Sequence, residues 1–213
     1  MFQYLIKEPK QFSKKQKALL MLHGFGSNEQ DLFSFANQLP DDLLIISARA
    51  PFSLNFGGYA WYDIYLDAQN NKVSNNEQAL NSLEQLSQFI DLLIDKYHID
   101  KQSFNLLGFS QGAILSYALA LHYPKKINKI IALSGYINEE IIPQNANTEN
   151  YKHLNFFISH GKFDEIIPIS EAQKTSPYLT GKNIKFTYNE YPMGHEVSYD
   201  CLGDMLDWVN IYM

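Results

Sequence analysis

The sequence predicts an α/β fold in which a predominantly parallel central sheet carries helices on both faces. Short apolar runs typical of buried strands alternate along the chain with longer segments whose apolar residues recur every three or four positions. No linker rich in Pro, Gly or Ser divides the 213 residues, and 46% of them are hydrophobic. That is enough for one substantial core, so we expect a single domain over residues 1–213.

Six apolar runs are predicted to be strands: 18–22, 43–47, 104–107, 127–133, 154–159 and 184–191. Five segments are predicted to be helices: 28–39, 76–97, 113–122, 170–179 and 197–212. Pro177 should break or kink the fourth helix, because proline lacks the amide hydrogen of a helix interior. Segment 50–74, dense in glycine and aromatic residues, is predicted to be a loop. An asparagine cluster near its end marks a turn before the next helix: Asn70, Asn71, Asn75 and Asn76.

Charge and cysteine content exclude several classes of protein. Lysine and arginine total 17 against 23 aspartate and glutamate, the formal net charge is −6, and Arg49 is the only arginine. Without a basic run, the chain is a poor candidate for binding nucleic acid or an anionic membrane surface. The single cysteine, Cys201, excludes an internal disulfide and a cysteine-based zinc site. We expect no metal or other cofactor.

The sequence shows no targeting or membrane segment. Residues 1–10 lack the charged start, the long apolar middle and the small-residue cleavage site of a signal peptide. No run approaches the about 18 consecutive apolar residues of a transmembrane helix. We therefore expect a cytoplasmic protein without integral membrane contact.

Residues 108–112, with the sequence Gly-Phe-Ser-Gln-Gly, mark the candidate nucleophile, Ser110. They lie between the predicted strand 104–107 and the apolar helix 113–122, which is the setting that a Gly-x-Ser-x-Gly motif requires. A sharp turn there raises the serine hydroxyl above the sheet, and only glycine fits where the helix and a strand pass close to it. The alternative interpretation is a tight turn with an idle serine.

The acid and the base are predicted from their order along the chain. In this architecture the nucleophile is followed by an acid after the penultimate strand and by a histidine beyond the last strand. Asp164 and His195 meet these conditions. Glu165 is the rival acid, but the shorter aspartate fixes an imidazole more tightly. Other histidines are interpreted as structural or as too early in the chain to follow an acid: His122, His153 and His160.

These residue types predict nucleophilic catalysis. His195 accepts the proton of Ser110 as the hydroxyl attacks, and Asp164 holds the imidazole in the right tautomer. The tetrahedral intermediate carries a negative oxygen that needs preorganised donors. We expect these to be the backbone N–H of Gln111 and, from the glycine-rich loop after the first core strand, that of Phe25.

Further segments complete the pattern: His-Gly-Phe-Gly-Ser-Asn at 23–28 with Asp31 and Leu32, Ala50-Pro51, Gly58 with Trp61-Tyr62-Asp63, Ser134-Gly135, Gly161 with Asp164 and Pro168, and Gly194-His195. Together with 108–112, they resemble the small α/β-hydrolases of the carboxylesterase, lysophospholipase and acyl-protein thioesterase family. The resemblance covers almost the whole chain and implies an α/β-hydrolase fold. It also implies a Ser110–Asp164–His195 triad. Phe25 and Gln111 are implied as the oxyanion donors.

Trp61 is the predicted substrate-binding residue. The loop 51–65 carries six aromatic residues, and the apolar chain of an ester needs a dry wall beside Ser110. The family resemblance puts Trp61 near the site, which makes it the best candidate of the six. The alternative is that these rings cover the core. His23 is interpreted as a residue that holds the neighbouring loop by a hydrogen bond.

The sequence therefore predicts a serine esterase that cleaves small or lipid-like carboxylic esters through an acyl-enzyme. Residues 57–61 form a shorter loop than in the thioesterase branch, which favours a carboxylesterase over a lysophospholipase or acyl-protein thioesterase. Fold alone does not determine the substrate, so a peptidase or thioesterase stays open. The non-enzyme alternative is a catalytically silent binding protein on the same fold. The sequence is compatible with a homodimer.

Overall fold

The computed structural model describes residues 2–69, 72–144 and 147–213. Its strands are β1 (Tyr4–Lys7), β2 (Gln16–Leu22), β3 (Leu43–Ala48), β4 (Phe52–Ser53), β5 (Tyr59–Ala60), β6 (Ile64–Leu66), β7 (Lys72–Ser74), β8 (Ile99–Phe109), β9 (Lys129–Leu133), β10 (Asn155–Gly161) and β11 (Lys185–Tyr191). Its α-helices are α1 (Gln30–Phe33), α2 (Asn76–Tyr97), α3 (Gln111–His122), α4 (Ile169–Gln173), α5 (Thr175–Gly181) and α6 (Tyr199–Tyr212). Short 3₁₀ segments occupy Ala36–Gln38, Glu139–Ile141 and Thr148–Tyr151.

The central sheet has the strand order β1-β3-β2-β8-β9-β10-β11. β1 pairs antiparallel with β3, and every other neighbouring pair in this order is parallel. The predicted predominantly parallel sheet is therefore confirmed. The chain runs from β2 outward to β3 and then crosses back to β8, so the strand order reverses between β2 and β8. In parallel sheets such a reversal opens a crevice at the carboxyl ends of the strands, where ligands bind.

Helices cover both faces of the sheet because successive residues of a strand point to opposite sides. Leu20 and Leu22 of β2 belong to a core cluster with the buried residues of α2 and α3. Leu19 and Met21 belong to a second cluster, with residues of α1 and α6. Helix α2 has the bounds that its apolar periodicity predicts, and the side chain of Asn75 caps it by accepting from the Gln78 amide at 3.1 Å.

Small strands are the elements that the sequence pattern did not predict. Segment 50–74, expected to be a loop, contains the hairpins β4–β5 and β6–β7, and β1 adds an antiparallel edge. Strands of two to four residues are too short to show an alternation of apolar and polar residues. Of the asparagine cluster, Asn70 and Asn71 lie outside the described residues.

Two predicted helices are divided. The segment 28–39 forms α1 and a 3₁₀ turn, and 170–179 forms α4 and α5 with the break at Lys174. The prediction that Pro177 breaks this helix is confirmed, because Pro177 has no amide hydrogen to donate to the carbonyl of Gln173, where α4 ends, and lies instead in the first turn of α5. Among the described helices, none combines the length and apolar character needed to cross a membrane.

Candidate active site

Ser110 occupies the turn between β8 and α3 in a strained conformation. Its φ is 53° and its ψ is −116°, a left-handed φ that an L residue adopts only when its surroundings impose it. Both flanking glycines are required by space. A Cβ on Gly108 would lie 2.3 Å from the Gly112 carbonyl oxygen, and a Cβ on Gly112 would lie 1.9 Å from the Leu22 carbonyl oxygen. The close approach of β2, β8 and α3 thus holds the serine at the carboxyl edge of the sheet.

A row of hydrogen bonds joins the three residues that the sequence predicts to meet. His195 Nε2 lies 2.9 Å from Ser110 Oγ, and His195 Nδ1 lies 2.7 Å from Asp164 Oδ2. The Asp164 side chain has no exposed surface. Its Oδ1 accepts the backbone amides of Ile166 and Ile167 at 2.9 and 2.8 Å. This arrangement can take a proton from the serine and hold the resulting imidazolium against a carboxylate.

Two neighbouring strands bring the acid and the base together. β10 and β11 are parallel and in register up to Gly161 and Tyr191, so the loops that follow them leave the same edge of the sheet. Those loops are joined by backbone bonds from Lys162 to the Tyr191 carbonyl, at 2.8 Å, and from Phe163 to the Met193 carbonyl, at 3.0 Å. Glu165, the rival acid, is exposed and takes no part in the hydrogen bonds that join Ser110, His195 and Asp164.

Phe25 and Gln111 line the same pocket as Ser110 and His195. Neither backbone amide donates to another group within the described ranges. Gln111 is also the first residue of α3, where helix amides point outward and favour negative charge. Phe25 and Gln111 thus line a common space with the nucleophile, and neither amide has a competing acceptor among the described residues.

An ion pair braces the loop that carries Phe25, and the sequence pattern did not reveal it. Arg49 donates to both oxygens of Glu29, with Nε to Oε2 at 2.6 Å and Nη2 to Oε1 at 2.5 Å. The guanidinium lies 4.6 Å from the centre of the Tyr59 ring, and the Tyr59 backbone pairs with Ser27 at 2.8 Å. The Arg49 guanidinium lowers the pKa of Glu29. The one feature of the sequence that could have drawn attention to this ion pair is that Arg49 is the only arginine.

The structure contradicts the placement of Trp61 in the pocket wall. Trp61 has no exposed surface and packs in the core under the pocket, while its neighbour Tyr62 lines the pocket. The indole N–H of Trp61 donates to the His23 carbonyl at 2.9 Å. The side chain of Gln111 accepts from the Trp61 amide and donates to the Tyr62 carbonyl, both at 2.8 Å. Trp61 therefore supports the site from behind, the alternative role that the sequence left open for these rings.

The pocket itself is mostly apolar and has a volume of about 760 Å³. The hairpin β6–β7 forms one side, and the segment that leads into α4 forms the other. Its apolar lining includes Ile64, Leu66, Ile114, Ile166 and Ile167. Such a space accepts an acyl chain beside the serine. Within the described part of the chain, no group of three or more His, Cys, Asp or Glu could hold a metal ion.

His23 is buried and uses both ring nitrogens. Nδ1 lies 2.7 Å from the Gly24 carbonyl oxygen, and Nε2 accepts the Ala50 amide at 3.1 Å. This is the loop-holding role expected for it. Because burial disfavours the charged imidazolium, the pKa of His23 lies below its ordinary value of 6.5, and the Ala50 amide bond likewise needs an unprotonated Nε2.

The lowered pKa of His23 predicts a loss of stability in mild acid. Below pH 6.5 the unfolded chain binds a proton that the folded chain resists, so stability is present above this pH and falls below it. Between pH 7.5 and 5.5 we expect a loss of up to about 1 kcal/mol from this residue. Urea unfolding at both pH values measures it. His23→Asn should lower the free energy of unfolding at both pH values and should reduce the difference between them. His153→Asn, at an exposed histidine, should leave that difference unchanged. An equal pH dependence in all three proteins would contradict the assignment.

The remaining histidines differ in their surroundings. His122 and His153 bond backbone carbonyls outside this pocket, Nε2 of His122 to Ile141 at 2.9 Å and Nε2 of His153 to Pro124 at 2.8 Å. Both agree with a structural role. His160, set aside because it precedes the acid, instead lies against it, with Nε2 3.3 Å from Asp164 Oδ2. Chain order excludes His160 as the base but says nothing about its contact with the acid.

Comparison with known proteins gives relatives over the whole chain. Acyl-protein thioesterase 1 of Candida albicans is 28% identical, over 96% of this chain and 95% of the thioesterase. A probable carboxylesterase of Arabidopsis thaliana, SOBER1-like, is 29% identical, over 90% of this chain and 77% of that protein. A Bacillus cereus carboxylesterase has the same fold, with a TM-score of 0.85 at 20% identity, over 100% of this chain and 95% of that one. The phospholipase/carboxylesterase family model matches residues 5–213. The chain therefore belongs to the phospholipase/carboxylesterase family of α/β-hydrolases, enzymes that hydrolyse carboxylic esters.

Proposed function

We propose that this protein cleaves carboxylic esters through an acyl-enzyme on Ser110, with His195 as general base and Asp164 as the residue that orients it. The observation that carries the proposal is the row of hydrogen bonds from Ser110 Oγ through His195 to Asp164, at 2.9 and 2.7 Å. Membership of a family of ester hydrolases gives the reaction class. The left-handed conformation of Ser110 adds support, because strain of this kind collects at functional positions.

The proposed reaction has two halves. Ser110 Oγ attacks the ester carbonyl carbon while His195 Nε2 takes the hydroxyl proton. The bond to the alcohol then breaks, and His195 returns the proton to the leaving oxygen, which frees the alcohol and leaves an acyl group on the serine. A water molecule then attacks the acyl carbon while His195 takes its proton. The bond to Ser110 Oγ breaks, His195 returns the proton to Oγ, and the carboxylic acid is released. Asp164 stabilises the imidazolium in both halves.

The negative oxygen of each tetrahedral intermediate is bound by the backbone amides of Phe25 and Gln111. Their lack of another acceptor supports this role, since a preorganised donor costs no rearrangement at the moment of reaction. The Arg49–Glu29 ion pair, at 2.5 Å, and the pairing of Tyr59 with Ser27, at 2.8 Å, hold the loop in place. Removing one oxyanion donor typically costs about 10²- to 10³-fold in kcat.

The pocket favours esters with an apolar acyl chain, including lipid-like esters. A second candidate is an acyl-protein thioesterase or lysophospholipase activity of the same site. The 28% identity to the Candida albicans acyl-protein thioesterase 1 over 96% of the chain favours the thioesterase. The chemistry of Ser110 is the same for an oxygen or a sulfur leaving group, so matched oxygen esters and thioesters of one acyl series distinguish these substrates.

Labelling with a fluorophosphonate tests the proposal directly. We expect one phosphonyl adduct, located by mass spectrometry on Ser110 and lost in Ser110→Ala, because an activated serine attacks phosphorus as it attacks an ester carbon. A folded protein that takes no label and hydrolyses no member of the ester and thioester series would instead be a binding protein on the same fold.

Light scattering on the same sample distinguishes a monomer from a homodimer.

Two further points belong to the proposal. The chain acts as one α/β-hydrolase domain over residues 1–213, supported by the seven-stranded central sheet, which includes strands from both ends of the chain, Tyr4–Lys7 and Lys185–Tyr191. Its location is cytoplasmic, supported by a sole cysteine, Cys201, that is buried as a free thiol and has no need of an oxidising compartment.

A further inference from the structure

His160 is a buried histidine that contacts the acid of the proposed triad. It is the second-last residue of β10, and its side chain has no exposed surface. Its Nε2 lies 2.9 Å from the Ile167 carbonyl oxygen and 3.3 Å from Asp164 Oδ2. Its Nδ1 is buried and has no hydrogen-bond partner among the described residues. We infer that His160 is a positioning residue for Asp164, an assignment that rests on the proposed function of Ser110, Asp164 and His195.

The contacts of His160 determine which nitrogen carries hydrogen. Both atoms that face Nε2 are acceptors, a carbonyl and a carboxylate oxygen, so the hydrogen is on Nε2. A second hydrogen on Nδ1 would be buried without an acceptor, which is unfavourable. His160 is therefore a neutral ring that presents one N–H. This N–H donates to the Ile167 carbonyl at 2.9 Å, and the ring contacts Asp164 Oδ2 at 3.3 Å without taking a proton from His195 or giving one to the carboxylate.

His160 restrains the acid loop through one hydrogen bond and one close contact. The bond to Ile167 closes the segment from Asp164 to Ile167 back onto the end of β10, while the amides of Ile166 and Ile167 bind Asp164 Oδ1. The contact with Oδ2 restrains the carboxylate oxygen that His195 uses. Ile166 and Ile167 also line the pocket. His160 thus ties the orientation of the acid to one wall of the acyl pocket.

The charged groups around His160 support a neutral donor. Asp164 faces it from its own loop, and His195 Nδ1 contacts the same carboxylate oxygen, Oδ2, at 2.7 Å. Glu190 is opposite His160 in the register of β11, but its Oε1 accepts from Gln173 at 2.9 Å and from Tyr188 at 3.2 Å. On the other side of β10, the neighbouring backbone belongs to Ser134, which is uncharged.

Substitution by leucine and by glutamine tests the inference. His160→Leu removes the donor, and His160→Gln keeps an N–H at about the position of Nε2. In His160→Leu we expect kcat to fall about tenfold or more, because small misplacements of catalytic groups are costly, with KM within about twofold. His160→Gln should restore most of kcat, because it can again donate to the Ile167 carbonyl.

His122→Leu is the matched control, because it removes a comparable bond, between Nε2 and the Ile141 carbonyl at 2.9 Å, away from the site. It should lower Tm without changing kcat or KM. The inference is overturned if His160→Leu lowers only Tm, or if His160→Gln is as impaired as His160→Leu. Failure of the wild-type protein to hydrolyse any ester or to take the fluorophosphonate label would instead overturn the proposed function.

Discussion

Replacing Ser110 by alanine should reduce the hydrolysis of a short-chain chromogenic ester by about 10⁴-fold or more. No other hydroxyl stands at hydrogen-bond distance from His195 Nε2 among the described residues. The variant loses the covalent route, and the activity left comes from oxyanion donors and binding, which act without the nucleophile. Initial rates at saturating substrate measure the change. Circular dichroism and gel filtration confirm that equal amounts of folded protein are compared.

Ser116→Ala is the matched control for this loss. Ser116 is a buried serine within α3, and its hydroxyl donates to the Gly112 carbonyl at 2.8 Å. Its removal should cost only about 1 kcal/mol of stability and should leave kcat near the wild-type value. If Ser110→Ala stayed folded and kept more than a tenth of the activity, Ser110 could not be the nucleophile.

The nucleophile turn was predictable because the residues that it requires are adjacent in the sequence. The spacing of Gly108 and Gly112 around Ser110 follows from contacts that the turn makes with its own strand and helix, and with the adjacent β2. A pattern of five residues therefore records the need for glycine on both sides of the serine. Chain order supplied the other two members, since in a parallel sheet the loops after successive strands emerge at one edge.

Contacts between side chains far apart in the chain were not predictable in the same way. The apolar and aromatic character of Trp61 is equally compatible with a pocket wall and with the core. Its place was decided by Gln111, whose side chain binds the backbone at positions 61 and 62. Likewise, nothing in the sequence shows that the ring of His160 turns toward Asp164. These outcomes depend on rotamers and packing, which a linear pattern does not contain.

The second large effect is expected at the acid. Asp164→Asn should lower kcat by about 10³- to 10⁴-fold with little change in fold. The amides of Ile166 and Ile167 bind Oδ1 at 2.9 and 2.8 Å, so the asparagine must keep its carbonyl oxygen there. Its NH₂ group then replaces Oδ2, 2.7 Å from His195 Nδ1. A donor at that position forces Nδ1 to accept, which moves the imidazole hydrogen to Nε2. His195 can then no longer take the proton of Ser110.

Glu165→Gln makes the same chemical change one residue away, at an exposed side chain, and should leave kcat within about twofold. Fluorophosphonate labelling rates for both variants separate the effect on the nucleophile from any effect on substrate binding. Asp164→Asn should label slowly in proportion to its loss of kcat, because both reactions need His195 as base. If Glu165→Gln lost activity while Asp164→Asn retained it, the roles of the two acids would be exchanged. A loss in both would indicate that the whole loop, rather than one carboxylate, orients the histidine.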